Sequence, residues 1–150
     1  MATQRPVEYY QIIRAISKVA HAGQLDKAGK PYFTHPERVA LKVMGYGLGF
    51  SCVAYLHDVL EDTAVTAEDL LDVGVSEIQV EAVIAITHLT GEPREDYYHR
   101  VAKNRLARVV KIADIRDNMD PDRLALLDEK TRDRLITKYT KALEFFGEKI

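Results

Sequence analysis

The ten residues "AYLHDVLEDT", 54–63, constrain this chain more than any other stretch. Val53, Ala54, Leu56, Val59 and Leu60 have the character of a helix buried in a core. Threaded among them are His57 and Asp58, followed one turn later by Glu61 and Asp62. Isolated ionised groups are expensive to bury, at several kcal/mol each. A fold that takes this segment inside must therefore supply counter-charge, most simply a cation.

The flanking sequence reads as helices separated by short breaks. Val7 to Ala22 carries apolar residues at Ile12, Ile13, Ile16, Val19 and Ala20, with Pro6 where a first turn tolerates it. "HAGQLDKAGKPYF" then reads as a loop. Thr34 and Glu37 have capping-box spacing and Pro36 falls in the first turn, so a second helix starts there with His35 at its head. Gly45, Gly47 and Gly49 end it. A third helix is expected from about Ser51 to Glu61, and a short one from Thr66 to Gly74. Ser76 and Gln79 open another that runs to about His88. "TGEPRED" interrupts, and helices follow over Asp96–Lys103, Leu106–Met119 and Glu129–Phe146, with Asp120-Pro121 as punctuation and Gly147 as the final stop. No stretch shows a sustained period of two. "RVVKIADI" is rich in strand formers, but Lys111 and Asp114 fit helical spacing. The expectation is an all-α fold with one domain over residues 1–150.

A chain of 150 residues can bury a core of its own. Net charge is −2 with both signs dispersed, which argues against a nucleic-acid or membrane-surface partner. Cys52 is the only cysteine, so no internal disulfide can form. "MATQRPVEYY" has no apolar run of signal-peptide type, and no segment approaches the ~20 apolar residues of a membrane span. The expected setting is the cytoplasm. Oligomeric state is open.

Four ionisable positions fall within or beside apolar helices: His35, His57, Asp58 and Asp114. Two imidazoles and two carboxylates form a plausible mixed nitrogen–oxygen site for one divalent metal. Glu61 lies four residues after His57 and Asp62 four after Asp58, so each pair shares a helix face. There they could orient or deprotonate a water at the metal. Lys111 and Asn118 flank Asp114 on its own face and could contact a phosphate and a ligand oxygen. Taken singly, each piece has an ordinary reading. Glu61 and Asp62 could form a solvated acidic helix end, Lys111 and Asp114 a surface ion pair of little worth, and His35 a mere helix start. The order His, His-Asp, Asp across separate helices is what chance supplies poorly.

The same residues resemble the HD-domain metal-dependent phosphohydrolases. "AHAGQLDKAGKPYFTHPERVA", "AYLHDVLEDT" and "VVKIADIRDNM" are similar to the hydrolase domain of RelA/SpoT proteins and to small alarmone hydrolases, over about residues 10–120. The resemblance implies an all-helical HD domain that binds Mn²⁺ and removes pyrophosphate from the 3′ position of ppGpp or pppGpp. By motif it implies His35, His57, Asp58 and Asp114 as metal ligands, Glu61 and Asp62 as the pair tied to water activation, Asn118 near the nucleotide sugar and Lys27 as a basic loop position. It also implies a stand-alone hydrolase, since 150 residues leave no room for synthetase or regulatory domains. Two departures remove positive charge: Asp26 stands where the family has an Arg packed on guanine, and Asp120-Pro121 follow Met119. Asp26 would repel phosphate unless turned away or paired, for instance with Lys27 or Lys30. Two other readings therefore stay open: hydrolysis of another nucleotide such as NADPH, and a metal-stabilised nucleotide sensor without turnover.

Of the remaining residues, His21 reads as a structural helix-end group near the site, and His88 and His99 as ordinary helix residues. Tyr32 and Phe33 read as packing aromatics, with Tyr32 open to a site role. Arg100, Lys103, Arg105 and Arg108 read as a solvated basic face. Cys52 reads as an inert core thiol. Tyr9 and Tyr10 could be surface or partner contacts.

Overall fold

Helix α3, Leu48–Leu56, is the centre of the molecule: every residue from Phe50 to Leu56 is buried, so no face of it is left for solvent. A helix that is apolar all round must be surrounded. In the computed structural model, which describes residues 6–150, the surrounding elements are α1 (Pro6–Ala20), α2 (Thr34–Val43), α6 (Glu77–Ile86) and α8 (Arg105–Asn118). Single turns α4 (Val59–Asp62) and α9 (Pro121–Leu124), the short α5 (Ala67–Asp72), α7 (Arg94–Ala102) and the closing α10 (Glu129–Phe145) complete the described residues. Only an isolated bridge, Leu25 with Pro31, has extended pairing among them. The fold is all-α, as the patterning requires. The reading of the N-terminus as free of a signal segment rests partly on residues 1–5, which lie outside the described residues.

Several local expectations are corrected. The Thr34–Glu37 capping box does not form. Thr34 Oγ1 donates to Pro31 O at 2.8 Å, and Glu37 is drawn instead to Arg14 at 2.9 Å and to the Tyr55 hydroxyl at 3.0 Å. A buried tyrosine hydroxyl and a guanidinium offer that carboxylate stronger partners than a backbone amide. The genuine box lies at Thr66 and Asp69, opening α5. Ser76 caps α6 through Gln79 N, but the Gln79 side chain turns to Tyr9. The Tyr9 hydroxyl donates to Gln79 Oε1 at 2.5 Å and accepts from Ser76 N at 2.9 Å, so Tyr9 ties α1 to the start of α6. Tyr10 is buried edge-on against Tyr55.

Of the three glycines expected to end α2, Gly47 carries the conformational demand. Its φ of +128° is a region that side-chain-bearing residues rarely enter, and it redirects the chain from a 3₁₀ turn at Met44–Tyr46 into α3. Asp120-Pro121 is more than punctuation: Asp120 accepts from Asp122 N and Arg123 N, and Pro121 takes the first position of α9. The expected basic face is divided. Arg100 binds Glu92 and the carbonyls of Ala85 and Thr87, Arg108 binds Phe146 O, and Arg105 lies over Phe50.

Candidate metal centre and cleft

The expected helix from Ser51 to Glu61 is broken at its most charged point. α3 ends at Leu56, His57 and Asp58 form a turn, and α4 resumes at Val59. The bond from Asp62 N to Asp58 O, 2.9 Å, closes the single turn of α4 with Asp58 at its head. The break lets Asp58 use its carboxylate away from the helix axis. Oδ2 accepts from the Tyr32 hydroxyl at 2.6 Å and faces His57 Nε2 at 3.0 Å.

α2 and α8 bring the other two residues to the same point. His35 Nε2 lies 2.8 Å from Asp114 Oδ1, and His57 Nε2 lies 3.2 Å from the same oxygen. One nitrogen or oxygen from each of His35, His57, Asp58 and Asp114 falls within a sphere of mutual separations no greater than 4.8 Å. His35, His57 and Asp114 are buried, and Asp58 is nearly so.

The hydrogen bonds behind the two rings determine what the cluster can accept. His57 Nδ1–H donates to Ala54 O at 2.5 Å. His35 Nδ1 lies 2.6 Å from Asp117 Oδ2. Both Nδ1 atoms are therefore committed as donors outside the cluster, and both Nε2 atoms point inward at carboxylate. In the metal-free chain that arrangement asks for a proton on each Nε2. Burial opposes the charged form of His57, but Asp58 and Asp114 outweigh it and its pKa is raised well above the ordinary value. Burial likewise opposes the charge on His35, and its bonds to Asp114 and Asp117 leave it raised. Asp58 is held down at about 2, burial being overcome by the His57 charge, and Asp114 is held low by Lys111 and His57 against the same penalty. A proton on each Nε2 would offset the same carboxylate charge that one divalent cation would. Released from those protons, the two Nε2 lone pairs and two carboxylates form a donor set suited to such a cation.

Glu61 and Asp62 stand at the open side of the cluster. Glu61 Oε1 accepts from His88 N at 3.0 Å, and Asp62 Oδ2 accepts from the Gln24 amide at 3.2 Å. Partial burial and the nearby Asp58 raise the proton affinity of both. His88 is thus not an ordinary helix residue. It lies in the turn after α6, fixing Glu61 through its backbone and Glu92 O through its ring. His99 does stay on α7, exposed, its ring edge-on to Phe145. His21 is buried, its Nδ1 bonded to Gln24 Oε1 at 2.8 Å, which aims the Gln24 NH₂ at Asp62.

The cluster opens into a cleft of about 410 Å³. Lys27, Lys111, Asn118, Glu61 and Asp62 line it, so the expected contacts are brought together. Lys111 and Asn118 are already engaged, however. Lys111 Nζ lies 3.0 Å from Asp114 Oδ2, and Asn118 Nδ2 lies 3.2 Å from Asp114 Oδ1. The Lys111–Asp114 pair is largely buried, not a surface pair. Asp26 is turned into its own loop. Its Oδ1 accepts from Ala28 N and Lys30 N, each at 2.9 Å, and its Oδ2 lies 3.6 Å from Arg123. The partner is Arg123 from α9, neither Lys27 nor Lys30 through its side chain. A second cleft of about 90 Å³ adjoins the cluster on the side of Arg94, Tyr97 and Lys138.

Sequence reasoning passed over Asp117, Arg123, Gln24 and Lys138. Asp117 could have been noticed, being one helical turn beyond Asp114. Lys138 carries no local signal; burial, Arg94 and Lys111 lower its pKa to about 8. Cys52 is buried and burial lifts its thiol to about 11, an inert core group.

No family model matches the chain. Curated relatives do. The chain is 37% identical over 117 residues to a Haemophilus influenzae protein named guanosine-3′,5′-bis(diphosphate) 3′-pyrophosphohydrolase, covering 69% of this chain and 17% of that protein. It is 36% identical over 81 residues to a Mycoplasma pneumoniae protein named probable guanosine-3′,5′-bis(diphosphate) 3′-pyrophosphohydrolase, covering 53% and 11%. The chain therefore spans less than a fifth of the length of these two relatives. A solved structure described as "A metazoan ortholog of SpoT hydrolyzes ppGpp and plays a role in starvation responses" shares the fold, with a TM-score of 0.76 and 20% identity over 97% of this chain and 88% of that one. Two imidazoles and two carboxylates gathered from two helices and a turn, in a chain with these relatives and this fold, make it similar to the hydrolase domains of RelA/SpoT type.

Proposed function

We propose that this chain is a divalent-metal-dependent pyrophosphohydrolase, converting guanosine-3′,5′-bis(diphosphate) and water to GDP and pyrophosphate. The observation that carries the reading is the convergence of His35, His57, Asp58 and Asp114 beside two carboxylates of raised proton affinity. Those four residues would hold the ion, for which we propose Mn²⁺. When bound, it supplies Lewis-acid polarisation of a phosphoryl oxygen and of the attacking water.

The chain's own groups account for the rest. Glu61, steadied by His88 N, and Asp62, steadied by Gln24, orient the water and take its proton. Tyr32 fixes Asp58. Lys27, Lys111 and Lys138 line the cleft and offset the charge of the phosphates, while Asn118 offers an amide beside the sugar. The water oxygen bonds to phosphorus, the bond to the 3′ oxygen breaks, and that oxygen leaves as a hydroxyl by taking up the proton that Glu61 and Asp62 removed from the water. Positioning and charge stabilisation carry most of such a transfer. A sensor that never turns over has no use for Glu61 and Asp62 at the mouth. The Asp26 carboxylate, satisfied by its loop amides and Arg123, is no obstacle to an anionic substrate.

The reading takes residues 1–150 as one domain acting on a small nucleotide, without nucleic acid or membrane, in the cytoplasm. No described helix is long and apolar enough to cross a membrane. The test is product analysis by ion-exchange chromatography after incubation with Mn²⁺ and ppGpp, and separately with NADPH and GTP. Asp58→Ala serves as the control. Metal-dependent GDP and pyrophosphate, lost in the variant, is the expected result. No turnover of ppGpp by folded, metal-loaded protein would overturn the substrate.

A further inference from the structure

Among the described residues, the most heavily bonded side chain is not in the cluster. Asp117 is 1% exposed and lies directly behind His35. Its Oδ2 meets His35 Nδ1 at 2.6 Å, Arg38 Nη2 at 3.2 Å and Arg123 Nη1 at 2.8 Å. Its Oδ1 accepts from Arg38 Nε at 3.0 Å and from Lys42 Nζ at 2.9 Å. Three cations on one carboxylate exceed what charge balance for a single buried acid requires. Two of them, Arg38 and Lys42, stand on α2, the helix that carries His35, so they clamp that helix to α8 at the level of the ring. Arg123 reaches from α9 and also touches Asn118 Oδ1 at 3.2 Å and Asp26 Oδ2 at 3.6 Å.

We propose that Asp117 is a positioning residue for the metal centre, and that Arg123 links it to the Asp26 loop on the rim of the cleft. Asp117 holds His35 as an Nδ1–H donor and so leaves Nε2 as the atom presented to an ion. A carboxylate behind a ligating imidazole sets the ring's tautomer and angle, and loss of such a partner typically lowers metal affinity by about 10–100-fold. The three cations keep the carboxylate ionised and in place. Arg123, bonded to Asp117 and facing Asp26, sets where the loop of residues 24–31 lies relative to the cluster. The proposal rests on the reading of the four-residue cluster as a metal site.

The experiment is calorimetric titration of the metal-free protein with Mn²⁺, together with the visible absorption of its Co²⁺ complex. Wild type, D117N, D117N/K42Q, K42Q and R123Q are compared. The double variant removes one negative and one positive charge together, which protects the fold if D117N alone is destabilised. Expected are a loss of about 10–100-fold in Mn²⁺ affinity and an altered Co²⁺ spectrum in D117N or the double variant. K42Q should stay within about twofold of wild type, since the carboxylate still meets His35. R123Q should keep most of its metal affinity and raise the KM for nucleotide at little change in kcat. Failure of wild type to bind Mn²⁺ would remove the metal-site reading itself. Wild-type binding matched by a folded D117N, with an unchanged spectrum, would overturn the positioning role alone. So would failure of both Asp117 variants to fold, because Asp117 would then belong to the core.

Discussion

Binding of a divalent ion to this protein should expel two protons. His35 and His57 each have Nδ1 committed to an acceptor outside the cluster and Nε2 facing carboxylate oxygen, at 2.8 Å and 3.0 Å for the shorter contacts. Both rings have raised proton affinity in the metal-free chain. An ion that takes the Nε2 lone pairs must displace both protons. Below the raised pKa values each competing proton weakens metal affinity tenfold per pH unit, about 1.4 kcal/mol. Two protons give about a hundredfold per unit, with log affinity rising at a slope near two as pH rises. The slope flattens once pH passes the histidine pKa values. Calorimetric titration with Mn²⁺ in buffers of different ionisation enthalpy counts the released protons directly. A release near zero and flat affinity from pH 6 to 8 would refute the reasoning, because the Nε2 atoms would then be unprotonated or not ligands. The sign also fixes the behaviour of the metal-free fold. The raised histidines stabilise it below their unfolded pKa, and that contribution is lost as pH rises through the folded values. The depressed Asp58 and Asp114 stabilise it above the usual carboxylate range, lost as pH falls through theirs. The metal-free melting temperature should therefore fall on the alkaline side, and Mn²⁺ should restore it there by mass action.

Other expectations follow from single residues. Glu61→Gln and Asp62→Asn should each lower kcat by about 10²–10⁴-fold, with Mn²⁺ affinity in the titration changed little, because neither is in the four-residue cluster. Lys138, with a pKa lowered to about 8, loses its charge as pH rises through that value; KM for an anionic nucleotide should climb between pH 7 and 9, and Lys138→Gln should flatten that climb in steady-state kinetics. Leu56→Ala opens a void at a fully buried position directly before the cluster, and chemical denaturation should show a loss of about 2–5 kcal/mol. Gly47→Ala places a side chain at φ +128°, which should cost about 1–3 kcal/mol by the same assay.

The helical periodicity, the turn residues and the order His, His-Asp, Asp were enough to specify an all-α fold and the membership of the cluster. Each is a local property, carried by residues within a few positions of one another or by residue types that seldom enter a core. The resemblance of three segments to a known hydrolase domain was legible for the same reason. What escaped was set by distance in the chain. Glu37 had the spacing of a capping box, yet Arg14 and Tyr55 from other helices offered it stronger bonds. The third helix looked continuous, yet His57 and Asp58 form a turn, with the Asp58 carboxylate drawn to Tyr32 and His57. Asp26 looked like a misplaced charge until Arg123, almost a hundred residues on, was seen beside it. Asp117, passed over in the sequence, is the hub behind His35 only because α2 and α9 bring three cations to it. Short-range patterns decide which helices form, because propensity and capping act over a few residues. Which charges face one another is decided only when the helices pack, because Coulomb and hydrogen-bond energies act over ångströms in space and take no account of separation along the chain.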